Sequence, residues 1–492
     1  MLANGMKKKP FYSDPDSTGY DMSNYTKELE SFRNNRVISL RRSISLNLST
    51  KSVHIPGFHE TPKRSHAFVP RKKPCFNPDS FIGIIAGRNS EQICDLFLSL
   101  IGVTGNDLKQ LNSLFSNYEV ILALVSVFIN DYSAKVIEAA LQCIADVFPH
   151  IGNSKDILID EGVGMELMNI LEGDSIELLN AGILVICSVS QYSGYGRDYM
   201  ICLGYHTILM RIAEIQNGTE LSDYACEAIH MMFHHPDPVE TSIIKESVPL
   251  LHSLLPNASK IATASILGTM VEMSNKLPSI VFTYHELGLY KEMVNYIQEP
   301  ELVGIVLRLV GNMAVSQPTQ IKSLLDSGIL VHLFQLMPTE YQPDVFWILS
   351  NLLESLPKTM LAIFDEQFIT SVLLLSQESG YEGKKEIAYF LSTITLFNGN
   401  SSISFFFNTD FVSIFCEVLG CGFESITLRC LEAIMLFCSH VISSNDQELA
   451  SILLDSDLED RLNDLFSEES MVLSERAQYI LNQLKEVQKR LR

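Results

Sequence analysis

Three residue pairs carry the chemistry that this chain is equipped for. Trp347 stands four residues before Asn351 in F-W-I-L-S-N, Arg308 four before Asn312 in R-L-V-G-N, and Tyr389 four before Thr393 in Y-F-L-S-T. On a helix, residues i and i+4 share one face, one turn apart. A side-chain amide both donates and accepts, which suits the main chain of an extended peptide. An indole or phenol face suits lysine methylenes and the cation they carry. Asp344 and Glu386 each stand three residues before the aromatic, on the same face. This is chemistry of recognition, not of bond breaking. Packing competes with it at every position. A lone Trp on a helix is usually partly buried core, and a helical Asn is often a local cap. Thr393 reads as structural.

The pairs recur at intervals of 39 and 42 residues. Glycines mark a similar period. Gly162, Gly204, Gly288 and Gly328 each precede an apolar-periodic stretch, at intervals of 42, 84 and 40. Each reads as a tight turn with φ > 0, where one helix ends and the next begins. A period of 40–47 residues matches armadillo or HEAT repeats, and residues 80–485 have room for roughly ten such units. Each unit is two or three helices that cannot bury their apolar faces alone, so neighbours stack into one continuous core. The expectation is an all-α, right-handed superhelical solenoid over 76–492, preceded by a basic, largely disordered arm over 1–75.

Composition agrees with a long helical chain. Apolar residues make up 47% and charged residues 19%. The longest apolar run, Val120 to Ile129 broken only by Ser126, is too short to span a bilayer. The start, M-L-A-N-G-M-K-K-K-P, lacks the apolar core of a signal peptide. Ten cysteines are scattered without C-x-x-C pairing. Cys143, Cys187 and Cys430 lie in apolar helical stretches and read as reduced core thiols. Charge is uneven. Residues 1–75 hold 14 Lys or Arg against 6 Asp or Glu, whereas the remainder holds 22 against 52. An acidic body attracts basic segments of partners.

Taken together, these segments resemble the importin-alpha family, the armadillo-repeat adaptors of nuclear protein import. L-R-L-V-G-N-M-A-V from Leu307, W-I-L-S-N-L from Trp347 and K-E-I-A-Y-F-L-S-T from Lys385 are similar to three successive repeats of that family. G-R-D-Y-M from Gly196 resembles the end of an earlier repeat, and L-R-C-L-E-A-I-M-L-F from Leu428 the ninth. L-E-D-R-L-N-D-L-F-S-E-E-S-M-V-L-S-E-R-A-Q-Y-I-L from Leu458 resembles the closing tenth repeat, which family members turn towards their nuclear export receptor. In that family the third helix of each repeat lines a concave groove. Its Asn bonds the main chain of a basic cargo peptide, and its Trp packs on lysine stems.

The resemblance implies two groove sites with unequal fates here. In the second to fifth repeats, the Trp and Asn positions hold Leu141 and Ala145, Leu184 and Ser188, Glu227 and Met231, and Ser265 and Thr269. The major site is therefore chemically dismantled. The minor site keeps Arg308 with Asn312, Asp344 with Trp347 and Asn351, and Glu386 with Tyr389. The resemblance makes these seven the residues that bind cargo peptide.

The same resemblance assigns F-R-N-N-R-V-I-S-L-R-R-S-I-S-L-N-L-S-T-K-S from Phe32 to the segment that binds importin-beta, through Arg33, Arg36, Arg41, Arg42 and Lys51. Ile38, Leu40, Ile44, Leu46 and Leu48 equally mark an alternating strand-like stretch or an irregular helix. Lys63-Arg64 and Arg71-Lys72-Lys73 form two further basic clusters. Self-docking, a nuclear targeting signal and a solvated linker all remain open for them.

Enzymatic signatures are missing. His230 and His234 have the i,i+4 spacing of a metal pair but lack the glutamate of H-E-x-x-H and a third ligand. G-Y-G-R-D at Gly194 has no third glycine and no strand before it, and there is no G-x-x-x-x-G-K-[ST] or G-x-S-x-G. The expected function is an import adaptor, cytoplasmic and nuclear, linking basic nuclear localisation signals to importin-beta. It uses no cofactor or metal and has no direct contact with nucleic acid or membrane. The alternative is an armadillo scaffold that does not read such signals.

Overall fold

Short polar side chains start many of the helices. Asn77, Asn89, Ser175, Ser259, Asp365, Asn408 and Asp446 each accept a hydrogen bond from a backbone N–H in the first turn that follows. This satisfies donors that the helix itself leaves unpaired. The glycines end turns as their spacing predicts. Gly204, Gly288 and Gly328 precede their helices with φ of 86°, 80° and 90°. Gly162 has φ 126° in the turn before the helix Gly164–Leu171. A side chain at such φ values is strained, so glycine is the natural residue there.

A computed structural model describes residues 73–398, 408–467 and 470–491. Met1–Ser52 lies outside the described residues, all of which belong to one compact unit, Val53–Arg492. Arg33, Arg36, Arg41, Arg42 and Lys51 therefore lie outside the described residues, as do the basic residues at 63, 64, 71 and 72.

The described residues form helices and contain no strand. Ten helices recur once per period with others between them: α1 (Ser90–Leu100), α2 (Ala134–Val147), α3 (Ile176–Tyr192), α4 (Glu220–His234), α5 (Lys260–Lys276), α6 (Val303–Met313), α7 (Gln342–Ser355), α8 (Tyr381–Asn398), α9 (Glu424–Ser444) and α10 (Met471–Leu491). Their first residues stand 39–47 apart, the period that the pairs and glycines mark. Each packs on the next, from α1 to α10 without a break. Two shorter helices precede most of them, as Pro318–Asp326 and Ile329–Leu336 precede α7.

The apolar side chains form one continuous cluster from Phe81 to Val487. Its members sit where each helix turns its apolar stripe to its neighbours. α9 is long and apolar enough to cross a membrane, but most of its apolar stretch is buried inside the protein. The cysteines are all unbridged, and Cys143 and Cys430 are buried while Cys187 is half-buried.

Candidate functional site

Of the paired residues, Asn312, Trp347, Asn351 and Tyr389 form a ladder along one stripe, in which each of the four reaches back to the helix before it. Asn312 on α6 donates from Nδ2 to Ser274 Oγ at 2.9 Å and to Asn275 Oδ1 at 3.1 Å, both on α5. Asn351 on α7 directs Nδ2 to the Gly311 carbonyl of α6 at 3.5 Å. Trp347, one turn earlier on α7, lays its ring over Gly311. A Cβ there would fall 1.7 Å from the indole Cζ3, so only glycine leaves room for the ring. Tyr389 on α8 donates to Glu354 Oε1 of α7 at 3.0 Å. The stripe therefore exists because equivalent helix positions recur once per period and the side chains of Asn312, Trp347, Asn351 and Tyr389 are long enough to span to the preceding helix.

The expected rings are more enclosed than open binding faces. Trp347 is 7% exposed, Asn351 4% and Tyr389 4%. The indole N–H is buried without an acceptor among the described residues. Native proteins carry such an unmet donor at few positions. Thr393 is fully buried and donates to the Tyr389 carbonyl at 2.8 Å, the structural role its type implies. Arg308 and Asp344 are half-buried and Glu386 is buried. Burial pushes the Asp344 carboxyl above its ordinary range, and the positive charge of Arg308 pulls in the opposite direction.

Two residues of the stripe were not singled out from the sequence. Arg429 on α9 lies over the Tyr389 ring, its guanidinium carbon 5.6 Å from the centroid. Its Nη2 is 3.3 Å from Glu354 Oε1 and 3.4 Å from Tyr389 Oη. The signal was present: Arg429 follows Tyr389 by 40 residues, one more step of the period that links 308, 347 and 389. Glu354 follows Trp347 by seven residues, two turns along the same face.

The corresponding positions of α2 to α5 do different work. Leu141 is fully buried, Leu184 half-buried, and Thr269 donates to the Ser265 carbonyl of its own helix at 2.7 Å. Glu227 is half-buried, and burial with the nearby Asp223 pushes its carboxyl up to about 7. Cations in this half serve the fold. The Lys276 ammonium donates to the carbonyls of Phe233 and His235 at the end of α4. Arg197 is fully enclosed beside Asp198, with Nη2 donating to the Asp237 carbonyl at 3.2 Å. His230 and His234 stack at 5.5 Å, and His234 Nδ1 lies 2.9 Å from Glu272. No group of three metal-ligating side chains occurs among the described residues.

No family model matches this chain, and no curated protein matches it. Among solved structures it is similar to an engineered protein determined by crystallography, with 16% identity, a TM-score of 0.66, and coverage of 83% of this chain and 98% of that one. A second engineered protein matches at 15% identity and TM-score 0.41, covering 50% of this chain and 97% of its own. The first likeness is a likeness of all-helical fold.

Proposed function

We propose that the chain is an armadillo-repeat solenoid that binds basic peptides along α6 to α8 and links them, through the arm over residues 1–75, to importin-beta. The observation that carries this reading is the stripe from Ser274 to Tyr389, in which the amides of Asn312 and Asn351 stand one period apart beside the Trp347 indole and the Tyr389 phenol with its Glu354 carboxylate. A peptide in extended form repeats its side chains regularly, so a receptor with regularly spaced amides and acids suits it. The acidic body, 52 Asp or Glu against 22 Lys or Arg outside residues 1–75, favours basic partners by its field. The resemblance of the closing segment from Leu458 adds a nuclear export receptor as a partner, and the adaptor then shuttles between cytoplasm and nucleus.

The test is a titration of a lysine-rich peptide against the full chain and a chain lacking residues 1–75. Trp347→Ala should weaken binding by roughly 0.5–2 kcal/mol. Asn351→Ala should cost about 1 kcal/mol. The two are one turn apart on one helix, so their effects should couple rather than add. Arg41→Ala with Arg42→Ala should weaken capture of importin-beta, and unchanged capture would remove the arm from the reading. Small-angle scattering that gave a compact globule would remove the solenoid.

One observation favours a second reading. The stripe residues satisfy one another closely, with Asn351 and Tyr389 each only 4% exposed. A scaffold that uses the ladder for packing would show this, and would bind no basic peptide in either chain.

A further inference from the structure

Arg429 does not take the nearest carboxylate route alone. It stands on α9, yet its Nη2 reaches Glu354 on α7, 75 residues earlier, across Tyr389 on the intervening α8. Its Nη1 lies 3.9 Å from Glu432 on its own helix. The Tyr389 hydroxyl, itself bonded to Glu354 Oε1, closes the edge of the cluster, and the ring covers a face of the guanidinium. The side chains of Arg429, Glu354 and Glu432 are 10%, 14% and 18% exposed. Two carboxylates, a phenol oxygen and an aromatic face thus surround one planar cation. Those are the groups that recognise an arginine side chain through charge-assisted bonds and stacking.

We propose that Glu354, Tyr389 and Glu432 form a guanidinium-binding site that this chain fills with its own Arg429. Position 429 is where the next ring of the ladder would stand. The cation there turns back onto the ring one period earlier and occupies it from within the fold. An arginine from another molecule takes this place only when Arg429 is gone. For the basic-peptide reading above, on which this consequence rests, a peptide bound along α6 to α8 meets the Glu354–Tyr389 step with its guanidinium place already filled by Arg429. Removing Arg429 leaves two enclosed carboxylates without their shared cation, a strong drive to take up another.

The test uses the full chain carrying Arg429→Ala and methylguanidinium as probe, at concentrations far below denaturing. Ligand-observed NMR should show saturable binding to Arg429→Ala and none to the wild type, with methylammonium binding more weakly. Melting temperature should rise with methylguanidinium in the variant only. Adding Glu354→Gln should abolish both effects. A folded Arg429→Ala chain that binds the probe no better than wild type, or binds it equally after Glu354→Gln, overturns the proposal. Where Arg429→Ala does not fold, phenylglyoxal labelling of the wild type decides. Arg429 should stay unmodified while the exposed Arg211 reacts, and Glu354→Gln should speed labelling of Arg429 several-fold. Labelling of Arg429 at the rate of Arg211 in the wild type overturns the proposal. Failure of a basic peptide to bind the wild type defeats the peptide reading and leaves these outcomes as they stand.

Discussion

The same helix positions serve two ends in the two halves of this chain. In α2 to α5 they hold Leu141, Leu184, Glu227 and Ser265, and the cations nearby, Arg197 and Lys276, are spent on chain turns. In α6 to α9 they hold Arg308, Trp347, Tyr389 and Arg429, and three of these four make contacts that cross from one repeat to the one before. Both halves are built of helices that recur at the same period. The difference lies in side-chain chemistry: the indole, phenol and guanidinium bring aromatic faces and polar groups to neighbouring helices, whereas Leu141 and Leu184 bring only apolar surface. The helices thus keep their stack while one stretch of them carries polar and aromatic contacts between successive helices.

This contrast predicts a graded set of effects. The largest is Leu141→Ala, which leaves a cavity in a fully enclosed site and should cost about 2–5 kcal/mol in denaturant unfolding without changing peptide affinity. Lost affinity in a folded Leu141→Ala chain would erase the contrast between the halves. Next is Gly311→Ala. The added methyl meets the Trp347 ring at 1.7 Å and must displace it. The expected cost is about 1–3 kcal/mol, with a changed tryptophan emission. Gly304→Ala is the control on the same helix, with Tyr341 at 3.7 Å as its nearest neighbour. It should be neutral or stabilise by up to about 1 kcal/mol, because alanine favours helix. Equal effects at 304 and 311 would mean that Trp347 does not rest on Gly311.

Smaller effects sharpen the comparison. Tyr389→Phe keeps the ring and removes the donor to Glu354, and should cost about 1 kcal/mol, read by thermal or urea unfolding. The last concerns Glu227 and depends on pH. Its carboxyl titrates at about 7 in the folded chain, above the ordinary 4.5, because burial disfavours its charge. For an acid raised in this way, stability is fully present below the unfolded value and is lost as pH rises through the folded one. Glu227→Gln should therefore leave the melting temperature nearly unchanged at acid pH and raise it progressively between pH 4.5 and 7. A gain that is constant with pH would show that the carboxylate is solvated.

Much of this arrangement was legible in the sequence. The period of the pairs and glycines locates the recurring helices, since Gly204, Gly288 and Gly328 sit at turns that need positive φ. The pairing of Trp347 with Asn351 and Asp344 on one face follows from helix geometry alone. What sequence did not give is which neighbour each side chain touches. Gly311 reads as one more helical residue until the indole is seen to lie on it. Arg429 falls one period after Tyr389, but nothing local indicates that it reaches Glu354, 75 residues earlier. Contacts between repeats depend on how far successive helices are offset, and spacing along the chain does not encode that offset.

Trp347 is the only tryptophan in the chain, so its emission reports on the stripe without a label. The most direct measurement is a titration of the chain lacking residues 1–75 with a lysine-rich peptide that contains no tryptophan, followed by Trp347 fluorescence and by anisotropy of a dye on the peptide. Binding along α6 to α8 predicts a saturable change in emission whose midpoint coincides with the anisotropy midpoint, with both weakened by Asn351→Ala. Anisotropy that rises while Trp347 emission stays constant would place the peptide elsewhere on the chain, and the absence of any binding would contradict the adaptor reading altogether.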